Sequence, residues 1–179
     1  MSWSLGETSA LAIKAVRGAG EPWGVAQEAG WAVRWLARAG MPGVSALARA
    51  IEANDLSDLR AGIELSDRGK VGSAISISVD ALLVLPFLSR CVPAGQAWNI
   101  ETGNGSFRLW REGSDPIGGV EVLAINGQVP LPDPLPGPVA RVGHDEAAFA
   151  ILNEFAARTY APATEASRQG AGAGLTDND

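Results

Sequence analysis

The chain has 179 residues, with 14 Lys and Arg against 20 Asp and Glu, which gives a formal net charge of −6. This length fits one domain with a real core, residues 1–179, and the scattered cations of an acidic chain disfavour binding to nucleic acid or to a membrane surface. One cysteine and one histidine exclude an internal disulfide, a cysteine-rich metal site and any pair of histidine ligands.

The first residues do not resemble a targeting signal. Residues 1–7 lack the cationic region of a secretory signal peptide. The longest apolar run, residues 81–88, is far shorter than the roughly 20 residues that a bilayer span needs. We therefore expect a cytoplasmic protein, and the single Cys91 agrees with a reducing compartment.

The N-terminal part of the chain, residues 1–54, predicts three helices. Ser4 and Glu7 have the spacing of a capping box at the start of the first helix. Pro22 suits the first position of the second helix, and Gly40 suits its left-handed end. A third, short helix completes this helical part.

After the third helix, the apolar pattern changes to alternation. Residues 72–142 predict mainly strands, beginning with a half-buried strand over 74–79. The Asn-Gly pair within residues 103–105 predicts a hairpin between the alternating runs 96–102 and 106–111, because a tight hairpin turn requires positive φ angles.

Four other segments complete this part of the chain. Residues 119–125 and 139–142 predict strands, whereas residues 81–91 fit either a buried strand or a short helix, of which we expect the helix. Prolines recur at every second position over 130–138 and predict a stiff loop. This loop would cover a sheet edge or, alternatively, serve as a polyproline ligand for a partner domain.

Asp145 predicts the cap of a C-terminal helix over residues 145–160. A glycine-rich tail, residues 161–179, follows this helix. N-terminal helices, a mostly antiparallel sheet joined by hairpin turns, and a C-terminal helix with a tail define an α+β protein.

Several segments carry a resemblance to known sequences. They are residues 17–30 with 34–36 after them, the C-terminal residues 158–179, and, more weakly, residues 82–90. These segments resemble a family of uncharacterised bacterial proteins known only as a domain of unknown function. The resemblance implies a lineage but no reaction, cofactor or substrate.

The second helix carries a candidate binding surface. A helical step aligns Gln27, Arg34 and Arg38, and it places Trp31 and Trp35 beside them. Guanidinium groups beside indole rings can hold a carboxylate or stack on a planar ligand. The alternative is that the rings pack in the core or in a subunit contact.

Two isolated reactive side chains favour structural interpretations. His144 precedes Asp145 and Glu146, and this triplet is typical of a helix start rather than of a metal or acid-base site. Cys91 follows Arg90 in an apolar stretch, which is typical of an inert buried thiol.

The tail is rich in hydrogen-bonding side chains. Tyr160, Thr164, Ser167 and Arg168 offer donors and Glu165 offers an acceptor, directly before a glycine run. Such a run lets a chain fold back. We therefore expect the tail to dock over the junction of the first two helices, and a frayed terminus is the alternative.

The tail also contains the weak candidates for a cation site. Asp177 and Asp179 supply the hard oxygen ligands that Mg²⁺ or Ca²⁺ prefers. A solvated terminus explains the same two residues, and we predict no cofactor.

Two functions compete. The first is a homo-oligomeric ligand-binding or accessory protein without catalysis, in which the tryptophans of the second helix form a subunit contact and a small anion is the ligand. The candidate ligand-binding residues are Arg17, Trp23, Arg34, Tyr160, Thr164, Ser167 and Arg168. The alternative is a small-molecule enzyme with a pocket between the Arg17–Glu28 region and the tail, in which Glu28 or Glu165 is the general base.

Overall fold

The computed structural model describes residues 2–69, 74–76, 81–102, 105–111, 120–126, 139–143 and 145–160. The helices within these ranges are α1 (Leu5–Gly18), α2 (Trp23–Arg38), α3 (Gly43–Glu52), α4 (Ser57–Arg68), α5 (Leu85–Cys91) and α6 (Glu146–Ala157), with a 3₁₀ turn over Ala81–Leu83. The strands are β1 (Trp3–Ser4), β2 (Ala74–Ser76), β3 (Ala97–Thr102), β4 (Gly105–Trp110), β5 (Val120–Asn126) and β6 (Arg141–Val142). The α+β class is confirmed.

The predicted helix caps are formed by local hydrogen bonds. The Ser4 hydroxyl accepts from the backbone N–H of Glu7 at 3.2 Å, and the Glu7 carboxylate accepts from the backbone N–H of Ser4 at 2.8 Å. Gly40 ends α2 with a φ of 74°, as predicted. Pro22 does not occupy the first turn of α2, because its ψ of 154° is extended, and it caps the helix instead.

Helix α1 packs between α2 and α6 through small residues. Ala12 and Ala15 are fully buried, and the Ser9 hydroxyl donates to the carbonyl of Gly30 on α2 at 2.9 Å. A Cβ atom on Gly30 would lie 2.5 Å from the Ile13 side chain, so the two helix backbones approach closely at this glycine.

Helix α4 lies beyond residue 54, where the sequence analysis ends the N-terminal helical part, so it is an addition to the three expected helices. Its fully or nearly buried positions form only a narrow stripe of Asp58, Leu59 and Gly62. A Cβ atom on Gly62 would lie 2.5 Å from the Phe87 ring of α5. The signal for this helix is present in the sequence, because Leu56, Leu59 and Ile63 recur at helical spacing and pack into the core while most other positions face solvent. Helix α5 itself confirms the helical interpretation of residues 81–91.

The four-stranded sheet has the strand order β2–β5–β3–β4. The predicted hairpin is antiparallel, with Ala97 opposite Trp110 and Thr102 opposite Gly105. Strands β1 and β6 form a separate antiparallel pair. The expectation of a mostly antiparallel sheet needs a correction at β5, which pairs in parallel with both β3 and β2.

The parallel pairing of β5 has a simple geometric origin. Strand β5 runs opposite to β4, but it lies on the far side of β3. Because β3 and β4 are themselves antiparallel, a strand that opposes β4 must run parallel to β3. Turn residues indicate a reversal of direction, but they do not select the neighbouring strand.

One hydrophobic cluster contains side chains from all six helices and from the β3–β4 hairpin. Trp98, Ile100 and Leu109 enter this cluster from one face of the hairpin, while Arg108 and Trp110 are exposed on the other. This alternation gives the hairpin one face toward the helices and one toward solvent. In the part of the chain that the structure describes, no helix combines the length and the apolar character needed to cross a bilayer.

Candidate functional site

An open cleft lies where the C-terminal half of α1, the first residue of α2 and the C-terminal end of α6 meet. Its volume is about 420 Å³, within the usual range for small-molecule sites. The lining residues are Lys14, Arg17, Gly18, Trp23, Arg158 and Thr159.

The close contact of α1 with α6 forms one wall of the cleft. A Cβ atom on Gly18 would lie 1.7 Å from the carbonyl oxygen of Phe155, so only glycine allows this approach. The chain then turns through Gly20, whose φ is 95°, and starts α2 at Trp23. This short connection brings the Trp23 ring to the end of α1.

The turn between α1 and α2 is held by a nearly buried carboxylate. Glu21 is 8% exposed and forms an ion pair with Arg60 of α4. The Arg17 guanidinium donates to the backbone carbonyl of Glu21. Because the ion pair anchors Glu21, the hydrogen bond to its carbonyl also holds Arg17 in place at the cleft.

Three cationic side chains surround the cleft. Arg158 pairs with Glu154 at 2.9 Å, and its guanidinium carbon lies 3.7 Å from the centre of the Phe155 ring. Lys14 donates to the Tyr160 hydroxyl at 3.0 Å. Within the described residues, neither Lys14 nor Arg17 contacts a carboxylate. The described side chains around the cleft therefore carry a net positive charge, although the chain is acidic.

Two exposed aromatic rings flank these cations. Trp23 is 59% exposed and Tyr160 is 64% exposed, and Trp110 is the other large hydrophobic residue that the described ranges leave exposed. The guanidinium carbon of Arg17 lies 5.9 Å from the centre of the Trp23 ring. The ring and the charge therefore face the same space.

A second, smaller groove of about 150 Å³ lies on α2, lined by Trp31, Arg34, Trp35 and Arg38. Arg90 stacks on the Trp31 ring, with 3.4 Å between the guanidinium carbon and the ring centre. Glu28 accepts a hydrogen bond from Arg90 at 2.7 Å. The stacking and the hydrogen bond of Arg90 hold the Trp31 ring in place as one wall of the groove.

The structure distributes the predicted site residues over these two places. Arg17 and Trp23 line the cleft, and Tyr160 accepts a hydrogen bond from its lining residue Lys14. Arg34 lies in the α2 groove, and Glu28 pairs with Arg90. The remaining candidates lie outside the described residues: Thr164, Glu165, Ser167, Arg168, Asp177 and Asp179.

Sequence reasoning did not select Lys14, Gly18, Arg158 or Thr159 as site residues. Lys14 and Arg17 are three positions apart on a helix, and this spacing places two cations on one face. That signal was available in the sequence. The participation of Arg158 and Thr159 depends on the packing of α6 against α1.

Cys91 and Asp145 lie in the described part of the chain, and the contacts of both indicate structural roles. The Cys91 thiol lies 3.5 Å from the Phe87 carbonyl, and burial raises its pKa. Asp145 caps α6 as predicted, accepting from the Ala148 N–H at 3.1 Å and from the Ser45 hydroxyl at 2.6 Å. The Ser45 hydrogen bond is the main cause of the lowered pKa of the Asp145 carboxyl.

His144 lies outside the described residues, as do residues 77–80 and 127–138, which contain parts of the expected first strand and the proline-rich loop. Among the residues whose positions are described, no group of three or more His, Cys, Asp or Glu side chains is arranged to hold a metal ion.

Fold and cleft together define an α+β protein with a cationic, aromatic-edged cleft at the meeting point of three helices. Residues 3–76 match a family model described as "Protein of unknown function (DUF3726)". The resemblance to a domain of unknown function is therefore confirmed over the segment that contains α1 to α4. No curated protein and no solved structure matches the chain.

Proposed function

We propose that the protein binds a small anionic ligand in the cleft between α1, α2 and α6, and that it acts as a self-associating ligand-binding or accessory protein without catalysis. The observation that carries this proposal is the convergence of Lys14, Arg17 and Arg158 on one open cleft. The chain as a whole has a net charge of −6, so these cations are not part of a generally basic surface.

Electrostatics favours an anion at this place. Like charges that share a small volume repel one another, and a bound anion removes this repulsion. Hydrogen bonds between a cationic donor and an anionic acceptor contribute about 1.5–3 kcal/mol each. Arg17 is held by the Glu21 carbonyl, so less side-chain freedom is lost when a ligand binds.

Binding is favoured over catalysis because of the chemistry of the lining. The described lining residues include no carboxylate, and Glu28, one of the two candidate bases, is paired with Arg90 outside the cleft. The other candidate base, Glu165, lies outside the described residues. The enzyme alternative therefore depends on Glu165 alone.

Self-association is proposed through the α2 groove. Trp31 and Trp35 are half-buried there, and Arg34 forms no ion pair with a described carboxylate. We propose a second copy of this acidic chain as the occupant, because exposed carboxylates such as Glu52 and Asp67 complement the charge of the groove. Light scattering tests this: Arg34→Glu should lower the mass, and a wild-type mass equal to one chain would disprove it.

The proposal also places the protein in the cytoplasm of a bacterium. The single, half-buried Cys91 supports the reducing compartment, and the resemblance described for residues 17–30 supports the lineage.

Thermal unfolding with added anions tests the ligand proposal. Inorganic phosphate, citrate or benzoate should raise the melting temperature relative to chloride at equal ionic strength, because a ligand that binds only the folded state stabilises it. The double variant Lys14→Gln with Arg17→Gln should lose this gain. Arg68→Gln, which alters an exposed arginine on α4, is the matched control. An equal response of the wild type and the double variant to all three anions would disprove the proposal.

A further inference from the structure

Two cations of the cleft, neither of which contacts a carboxylate of the described residues, favour a ligand whose charge is concentrated in one group. Lys14 and Arg17 face the cleft from one side of α1, and residues three apart on a helix have Cβ atoms only about 5–6 Å apart. A single group with two negative charges can contact both side chains. A dicarboxylate spreads the same charge over two distant ends. Arg158 adds less charge, because Glu154 accepts from it.

A phosphate monoester has the matching chemistry. At neutral pH it carries a charge of about −1.5 to −2 and offers three strong acceptor oxygens. Lys14 supplies a compact ammonium group, and Arg17 retains N–H donors beyond the one used by the Glu21 carbonyl. Guanidinium and ammonium groups are the usual partners of phosphate oxygens in proteins.

The exposed rings indicate the second part of the ligand. Of the three large hydrophobic side chains exposed in the described ranges, Trp23 lines this cleft and Tyr160 is hydrogen-bonded to its lining residue Lys14. Arg17 lies 5.9 Å from the Trp23 ring, so one small molecule can contact the guanidinium and cover the indole. Stacking of a planar ring on an exposed indole removes apolar surface from water.

From this arrangement we propose that the cleft takes a phosphate monoester that carries a planar ring. The phosphate contacts Lys14 and Arg17, and the ring stacks on Trp23. This inference rests on the proposed function, since it specifies the anion that the cleft binds.

Calorimetry at pH 7.5 and low salt, with four probes, tests each part of the ligand. 5′-AMP and phenyl phosphate combine a ring with a phosphate monoester. Ribose 5-phosphate lacks the ring, and phenyl sulfate keeps the ring but carries one negative charge. We expect both ring-bearing phosphates to bind about tenfold or more tightly than either ribose 5-phosphate or phenyl sulfate.

Protein variants then connect each part of the ligand with a side chain. Trp23→Leu should weaken binding of phenyl phosphate about tenfold and leave ribose 5-phosphate unchanged. Arg17→Gln should weaken both phosphates by a similar factor. Trp110→Leu, which removes the other exposed tryptophan, and Arg68→Gln are the controls and should change neither affinity.

The outcomes separate this inference from the proposed function. Equal affinities for ribose 5-phosphate and the ring-bearing phosphates, or for phenyl sulfate and phenyl phosphate, overturn the inference while anion binding stands. An unchanged affinity of Trp23→Leu also overturns it. If none of the four probes binds but citrate or benzoate does, the inference fails alone. If no anion binds, the proposed function fails with it.

Discussion

Replacing Gly18 by alanine should destabilise the protein, although alanine favours helices more than glycine does. The new Cβ atom would lie 1.7 Å from the Phe155 carbonyl oxygen and 2.6 Å from its carbonyl carbon. Both atoms belong to the backbone of α6, so no flexible side chain can move aside. Helix α6 must shift away from α1, and the cleft wall shifts with it.

The magnitude follows from two opposing contributions. Inserting an extra methyl group into a well-packed contact costs about 1–3 kcal/mol, and a backbone obstacle places this case at the upper end. The higher helix propensity of alanine offsets at most about 1 kcal/mol, because Gly18 is the last residue of α1. We therefore expect a net loss of about 2 kcal/mol in the free energy of unfolding, which lowers the melting temperature by about 4–8 °C for a chain of this size.

Gly24→Ala provides the matched control. Gly24 lies on α2, and a Cβ atom there would meet no atom within 4 Å. Because Gly24 lies in the first turn of α2, this variant should gain at most about 0.5–1 kcal/mol from helix propensity. Urea unfolding of both variants measures the two changes. A Gly18→Ala protein as stable as the wild type, or as stable as Gly24→Ala, would refute the close contact between α1 and α6.

Three other predictions concern the rest of the molecule. Arg90→Ala should shift tryptophan emission to the red, because Arg90 covers the Trp31 ring. It should lower the free energy of unfolding by only about 1 kcal/mol, because both charges of the ion pair between Arg90 and Glu28 are partly exposed. Asp145→Ala should lose about 1 kcal/mol at pH 7 with its helix cap, as urea unfolding would measure. Because the pKa of this carboxyl is lowered in the folded state, its stabilisation is present above the ordinary aspartate range and should disappear as the pH falls through the lowered value. Millimolar Ca²⁺ or Mg²⁺ should leave the melting temperature unchanged, and a rise that is lost in the Asp177→Asn, Asp179→Asn variant would contradict this.

The sequence alone determined features that depend on neighbours within a few residues. The capping box of Ser4 and Glu7, the left-handed end at Gly40 and the cap at Asp145 each involve hydrogen bonds or backbone angles over at most four positions. The hairpin between β3 and β4 belongs to the same group, since the Asn-Gly pair and the two alternating runs that predict it are adjacent in sequence. Such contacts form in the same way in almost any tertiary context.

Only the tertiary structure decided which distant elements meet. Gly62 of α4 packs closely against Phe87 of α5, and β5 pairs with β3 rather than with its sequence neighbour β4. The cleft has the same origin: Lys14 and Tyr160 are 146 positions apart in sequence and are joined by a hydrogen bond. The spacing of residues along the chain predicts which faces of an element are apolar or charged. Which faces meet depends on how all the buried surfaces pack together, and no single segment contains that information.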